Sequence, residues 1–361
     1  MRNTLSKRLA SALAVLTVFA LLFWPVTLHG PQLQAQAVLY WCTNVDVTVR
    51  SCPRWHHCAV LFTYSPNTLL FVVRMMTGDR EAGVDQWLRI EDPVTGQQGY
   101  IHSTQAHECD PAPWQTKLVI PVVSQTAREI YRRGLELGNN PQAFSKVGDC
   151  QNVEAYFLSS FDAPEQYDLG PYSSLQTTID NFRGSFSRQS AAVQGGFTVA
   201  SVLSPLMSDP ALCQSDETPL ECEDRLQNPS LVIVSMETWN RQGKQPVSLY
   251  EDYLSQIVEF WIGRGAVPVL ATKADNLEGD GNINAAIARV AERYDVPLWN
   301  FWLAAQSLPG HGFDPAWNDG FHLLWARSFY NNPARLRDGW PIRNLTALQA
   351  LDAVWRGVTA P

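Results

Sequence analysis

The chain has 361 residues, 45% of them hydrophobic, with 22 Gly and 23 Pro, a composition that buries a core and excludes disordered and collagen-like chains. Three of its 27 basic residues and none of its 35 acidic ones lie in the first 37 positions, so the remainder carries a formal charge near −11. That balance excludes a protein whose affinity comes from neutralising phosphates, and no nucleic-acid partner is expected.

Arg2, Lys7 and Arg8 precede an uncharged run at 9–28, and Ala35-Gln36-Ala37 then offers small residues at the two positions a signal peptidase reads. Residues 1–37 are expected to be a signal peptide that delivers a secreted or cell-surface protein. A run of that length also just spans a hydrocarbon core about 30 Å thick, so a retained segment would be a membrane anchor. Export places the seven cysteines in an oxidising compartment. Cys42, Cys52, Cys58 and Cys109 share one stretch, for which three connectivities exist, while Cys213 and Cys222 bracket a polar loop. The pairing with least conflict is Cys52 with Cys58, Cys42 with Cys109 and Cys213 with Cys222, leaving Cys150 as the free thiol. A zinc site at Cys52, His56, His57 and Cys58, with His107 and Cys109 nearby, lacks paired ligand spacing, and no metal is assigned.

Residues 38–111 read as short strands making a small all-β barrel. Val45, Val47 and Val49 alternate with Asp46, Thr48 and Arg50. Further strands fall at 69–73, 87–90 and 98–102, separated by turn signals at Pro66-Asn67, Thr77-Gly78-Asp79 and Thr95-Gly96. Residues 112–140 are read as a linker, marked by Pro111-Ala112-Pro113, and a leading helix. In that helix Thr126 and Glu129 form a capping box, and Ala127, Ile130, Tyr131 and Gly134 share one face up to Gly138.

From 141 to 361 strands and helices alternate. Strands are expected at 144–147, 231–236, 266–271 and 296–301. Helix stripes are expected at Tyr253, Leu254, Ile257, Val258 and Trp261, ended by Gly263 and Gly265, and at Ile283, Ile287, Val290 and Tyr294. Continuous apolar strands joined by helices imply a parallel sheet covered on both faces, with its site beyond the carboxyl ends of the strands.

Three segments there carry nucleophilic chemistry. Gly148-Asp149-Cys150 puts a thiol on a glycine turn leaving a strand, where a histidine would activate it. Gln194-Gly195-Gly196-Phe197-Thr198 offers bare backbone N–H groups to an oxyanion. Asp319-Gly320-Phe321-His322 sets a carboxylate three residues before the imidazole it would orient.

These blocks, over roughly 140–330, resemble the SGNH or GDSL hydrolases, whose first block is Gly-Asp-Ser and last is Asp-x-x-His. The resemblance implies a flavodoxin-like three-layer α/β fold and hydrolysis of ester-linked acyl groups with no cofactor. It implies Cys150, His322 and Asp319 as the triad, with the Cys150 and Gly196 backbone N–H groups as oxyanion donors. The chain departs from the family in two places. Cys150 stands where the family has serine, and Glu237-Thr238-Trp239-Asn240 stands where Gly-x-Asn-Asp belongs. A straight alignment puts Trp239 at the oxyanion asparagine, and a one-residue slip would bring Asn240 there.

The 38–111 strands, with Val45-Asp46-Val47-Thr48-Val49-Arg50-Ser51-Cys52-Pro53, Asp85-Gln86-Trp87-Leu88-Arg89-Ile90 and Gly96-Gln97-Gln98-Gly99-Tyr100-Ile101-His102, resemble a bacterial SH3-like (SH3b) domain, which implies attachment to cell-wall material, the alternative being a barrel that only spaces the next domain. The substrate implied is an acylated small molecule or polysaccharide. The rival reading is a non-catalytic glycan- or cell-wall-binding protein that keeps the hydrolase fold, with Cys150 an inert thiol and Asp319 with His322 a loop hydrogen bond. Lys273-Ala274-Asp275-Asn276 is read as a polar loop at the site-facing end of its strand. Residues 277–282 lack calcium-loop spacing, and Asn344-Leu345-Thr346 is a sequon by pattern.

Overall fold

A computed structural model describes residues 40–239 and 245–360; residues 1–37, expected to be a signal peptide, and Asn240 lie outside the described residues. The chain opens with seven strands, β1 (Tyr40–Thr43), β2 (Val47–Arg50), β3 (Val60–Tyr64), β4 (Leu69–Glu81), β5 (Val84–Glu91), β6 (Gln98–His102) and β7 (Ala106–Glu108). They form one antiparallel sheet in the order β3-β2-β6-β5-β4-β1-β7. Val47 and Val49 point into its core with Leu88, Ile90 and Ile101, as their alternation requires.

One turn signal proves to be something else. Thr77-Gly78-Asp79 lies inside β4, where a Cβ on Gly78 would come 2.1 Å from the Pro53 carbonyl oxygen. The glycine serves close packing, and the chain reverses at Ala82 and Gly83, both with positive φ. Three disulfides join Cys42 to Cys109, Cys52 to Cys58 and Cys213 to Cys222, and Cys150 is unbridged. Such bridges belong to an oxidising compartment. No helix among the described residues is long and apolar enough to cross a membrane.

Helix α1 (Gln125–Leu137) starts at Ser124, whose hydroxyl accepts the Ala127 N–H at 3.1 Å, so the cap is Ser124 and not the expected Thr126 box. Beyond it come β8 (Asn140–Gly148), β9 (Tyr167–Asp168), α2 (Gln176–Asn181), α3 (Pro219–Gln227), β10 (Pro229–Ser235), α4 (Val247–Gly263), β11 (Val267–Ala271), α5 (Asn282–Arg293), β12 (Leu298–Trp299), α6 (Phe301–Gln306), β13 (Ser328–Phe329) and α7 (Gly339–Thr359). The fold is mixed α/β, with β8, β10, β11 and β12 in one parallel sheet in the order β12-β11-β10-β8. A single parallel bridge between Gly148 and Val193 lays the 192–194 segment on the free side of β8. β12 is shorter than the expected 296–301 because the Asn300 side chain caps α6. β9 and β13 pair separately.

The Asn344 sequon lies on α7 with its amide buried: Oδ1 accepts the Leu158 N–H at 2.8 Å and Nδ2 donates to the Tyr156 carbonyl at 3.1 Å. That side chain is engaged in the core and closed to a glycan. The antiparallel sheet also touches the α/β part directly. Gly310 N–H donates to Ser65 Oγ at 2.9 Å, and the Arg337 guanidinium lies 4.3 Å from the Phe62 ring centroid and 3.6 Å from the Asp92 carboxylate.

Helix α1 meets the turn between α4 and β11 through glycine. A Cβ on Gly134 would come 2.1 Å from the Gly265 carbonyl oxygen, a backbone atom that cannot swing away. Gly→Ala inside a helix ordinarily stabilises by about 0.5–1 kcal/mol, but here overpacking reverses the sign. Gly134→Ala should lower the unfolding free energy by about 1–3 kcal/mol, read as a fall in urea midpoint at unchanged slope.

Candidate active site

The carboxyl ends of β8, β10 and β11 bring together the 149–153, 236–239 and 272–278 loops. Asp149, fully buried, joins the first two: its Oδ1 accepts the Gln151 N–H at 3.0 Å, and its Oδ2 accepts the N–H groups of Glu237 at 2.8 Å and Thr238 at 2.6 Å. Burial raises the Asp149 carboxyl above its ordinary range, and the Gln151 and Thr238 hydrogen bonds pull it partly back. Cys150 is half-buried on the short turn that follows. The 192–194 bridge sets Gly195 beside it, so that a Cβ on that glycine would lie 3.8 Å from Cys150 Cβ. Gly196 follows, exposed and with φ +86°.

Asp319 and His322 form a closed unit. Asp319 Oδ2 lies 2.6 Å from His322 Nδ1, while Oδ1 accepts the N–H groups of Phe321 at 2.9 Å and His322 at 3.0 Å. Partial burial would raise the carboxyl, but the His322 and Phe321 hydrogen bonds outweigh it and hold Asp319 at about 2. In a neutral imidazole, a carboxylate acceptor at Nδ1 favours the tautomer with its proton there and its lone pair at Nε2. The ring stays a third exposed, and Trp317 stacks on it with centroids 4.3 Å apart. Gln151 Nε2 donates to the Phe321 carbonyl at 2.7 Å, tying the Cys150 turn to the His322 loop.

Beneath these loops lie two buried ion clusters. Arg343 of α7 is fully buried, 2.7 Å from Glu237 Oε1 and 2.9 Å from Ser235 Oγ, with its guanidinium within 5.1 Å of the Phe157 and Phe301 ring centroids. Burial pushes Glu237 up to about 7, although Arg343 opposes the shift. Lys273 pairs with Asp275 at 2.7 Å and with Glu278, all three buried. Burial alone would lower the Lys273 ammonium, and the two carboxylates reverse that and hold it above its ordinary value. The polar loop at 273–276 is therefore folded around a buried lysine. Trp239 packs against Tyr250 and Tyr253, at 5.8 and 6.2 Å between centroids.

The structure thus brings Asp319 against His322 and Gly195 against Cys150, and links the two halves through Gln151. Asn240 lies outside the described residues. Asp149, Glu237 and Arg343 were not anticipated as part of the site. Arg343 left one signal, a lone charge inside the apolar sequence Trp340-Pro341-Ile342-Arg343-Asn344-Leu345.

No protein-family model matches the chain, and no curated protein matches it either. Solved structures similar to it include the lipase/acylhydrolase from Enterococcus faecalis, at 13% identity over 59% of this chain and 96% of that one, with a TM-score of 0.35. A protein from Slackia heliotrinireducens provisionally described as an SGNH hydrolase aligns at 15% identity over 58% of this chain and 97% of its own, TM-score 0.36. An acetylxylan esterase from Geobacillus stearothermophilus aligns at 13% identity over 59% and 94%, TM-score 0.33.

Two outcomes follow from the buried carboxylates. Asp149→Ala orphans three N–H groups and should cost about 2–5 kcal/mol of unfolding free energy in urea titration. Glu237 is raised to about 7, whereas an unfolded glutamate titrates near about 4.3, so its stabilising contribution is complete below that lower value and is lost as pH rises through the folded one. Wild-type stability should fall between pH 5 and about 7 relative to Glu237→Gln, whatever the offset between them. Parallel pH profiles would contradict the assignment.

Proposed function

We propose that the protein is an exported hydrolase of ester-linked acyl groups, with a flavodoxin-like SGNH-type domain and Cys150, His322 and Asp319 as its catalytic residues. The observation that carries this reading is the Asp319 to His322 unit, in which an ionised carboxylate fixes the imidazole tautomer, held by Gln151 to the turn bearing a thiol.

In the proposed reaction His322 Nε2 takes the Sγ proton of Cys150, and the thiolate adds to the ester carbonyl carbon. The oxyanion accepts the backbone N–H groups of Cys150 and Gly196. Its collapse expels the alkoxide, which leaves as an alcohol with the proton from His322. Water, deprotonated by the same ring, then cleaves the thioester, and the acid departs as the thiol is restored. The three disulfides support export, and the N-terminal sheet is read as an SH3b-like module that holds the enzyme on cell-wall material.

One feature favours the rival reading of a glycan-binding protein without turnover: in a straight alignment with the family an indole, Trp239, stands at the oxyanion amide, and it is packed by two tyrosines. The readings separate in hydrolysis of p-nitrophenyl acetate under non-reducing conditions. For the enzyme, Cys150→Ala and His322→Ala should each lower kcat/KM by at least about 10²-fold. Equal rates in wild type and both variants would leave the binding protein.

A further inference from the structure

The segments that follow Cys150 and His322 along the chain, 155–166 and 325–328, line a polar groove of about 340 Å³, within the range of about 300–1,000 Å³ typical of small-ligand sites. Tyr156 lines it six residues beyond Cys150, and Trp325 lines it three residues beyond His322. These rings are 47% and 55% exposed, unusual for side chains of that size. Tyr156 is held in place: its ring stacks on Trp340 at 5.5 Å, and its carbonyl accepts from buried Asn344. The floor is held by the β9 and β13 pair, in which Ser328 and Phe329 lie opposite Tyr167 and Asp168, with Tyr330 N–H donating to the Asp168 carbonyl at 2.6 Å.

We infer that this groove is a carrier subsite for a neutral polysaccharide, positioning a pyranose chain so that an ester on it reaches Cys150. The inference rests on the ester-hydrolase reading and names the class of substrate. The faces of a pyranose ring present C–H groups that stack on aromatic rings, and its edge presents hydroxyls that need planar donors and acceptors. Trp325 and Tyr156 supply the faces, and Glu165, Gln166 and Arg327 the polar edge. A long acyl chain or lipid would require an apolar wall instead. A polyanion would require charge of one sign, whereas Glu165 and Arg327 oppose one another.

Wild type, Trp325→Ala, Tyr156→Ala and Trp325→Tyr are compared on a chemically O-acetylated neutral xylo-oligosaccharide and on p-nitrophenyl acetate. The ratio of kcat/KM for the oligosaccharide to that for the small ester should fall at least about tenfold in both alanine variants, chiefly through KM. Trp325→Tyr, which keeps a stacking ring, should recover most of it. An unchanged ratio in both alanine variants overturns the groove and leaves the hydrolase standing. Should wild type cleave neither ester, the hydrolase reading fails by itself, and calorimetric titration with millimolar unacetylated oligosaccharide decides the groove. Saturable binding that Trp325→Ala abolishes supports it, and no heat with wild type overturns it.

Discussion

The Asp149 carboxylate is the point on which the site end of the sheet depends. It sits where β8 has run out of sheet partners, and its two oxygens accept three backbone N–H groups from two loops. Without it the Gln151, Glu237 and Thr238 amides would be buried without acceptors, each at a cost of about 1–3 kcal/mol. The same three bonds fix the backbone on both sides of Cys150 relative to the end of β10. A thiol whose neighbours are pinned in this way has a defined approach direction, and preorganisation of that kind is where most of an acyl-transfer site's advantage resides.

The two buried ion clusters extend that fixity beneath the loops. Arg343 reaches from α7 to Glu237 beside the amides that Asp149 holds, and Lys273 closes the neighbouring loop on Asp275 and Glu278. Buried pairs of this kind add little net stability over apolar packing, yet removing one partner leaves an unmatched charge and is costly. Their effect is specificity of arrangement: each loop at the strand ends has one conformation in which its charges are met. Lys273 and Arg343 come from distant parts of the chain, so the C-terminal helix is as much a part of this end of the sheet as the strands.

Much of this architecture is legible in the amino-acid sequence. Leu231 to Val234 are apolar without alternation because β10 is covered on both faces, and Val47 and Val49 alternate because β2 is covered on one. The disulfide pairs were the least conflicted choice because the short Cys52 to Cys58 loop nests inside the Cys42 to Cys109 loop, and Cys213 with Cys222 closes a loop apart from both. What could not be read is what depends on distance in sequence. The 192–194 segment pairs through a single bridge and has no strand periodicity to betray it, and the two-residue β9 and β13 are too short to carry a period. Gly78 looked like a turn because glycine has two uses, and the second, allowing the Pro53 carbonyl to approach, is tertiary. Asp319 and His322 were legible as a pair because they are three residues apart, whereas Asp149 showed no sign of its role because its partners lie 88 and 89 residues away.

The 237–239 segment owes its path to Asp149. The Glu237 and Thr238 amides are bound to its carboxylate, so the backbone path out of β10 is set by main-chain hydrogen bonds and not by the identity of the side chains there. Trp239 then turns its ring onto Tyr250 and Tyr253 of α4, and Tyr250 is itself fixed by its hydroxyl donating to the Met236 carbonyl at 2.8 Å. The indole at 239 thus lines the site on a backbone path that its side chain does not determine. In the proposed reaction the oxyanion is consequently served by main-chain donors at Cys150 and Gly196, groups that no side-chain substitution removes. The thiolate that His322 generates in that reaction leads to a tetrahedral oxyanion met by those main-chain donors, so the thioester route places no demand on the side chain at 239.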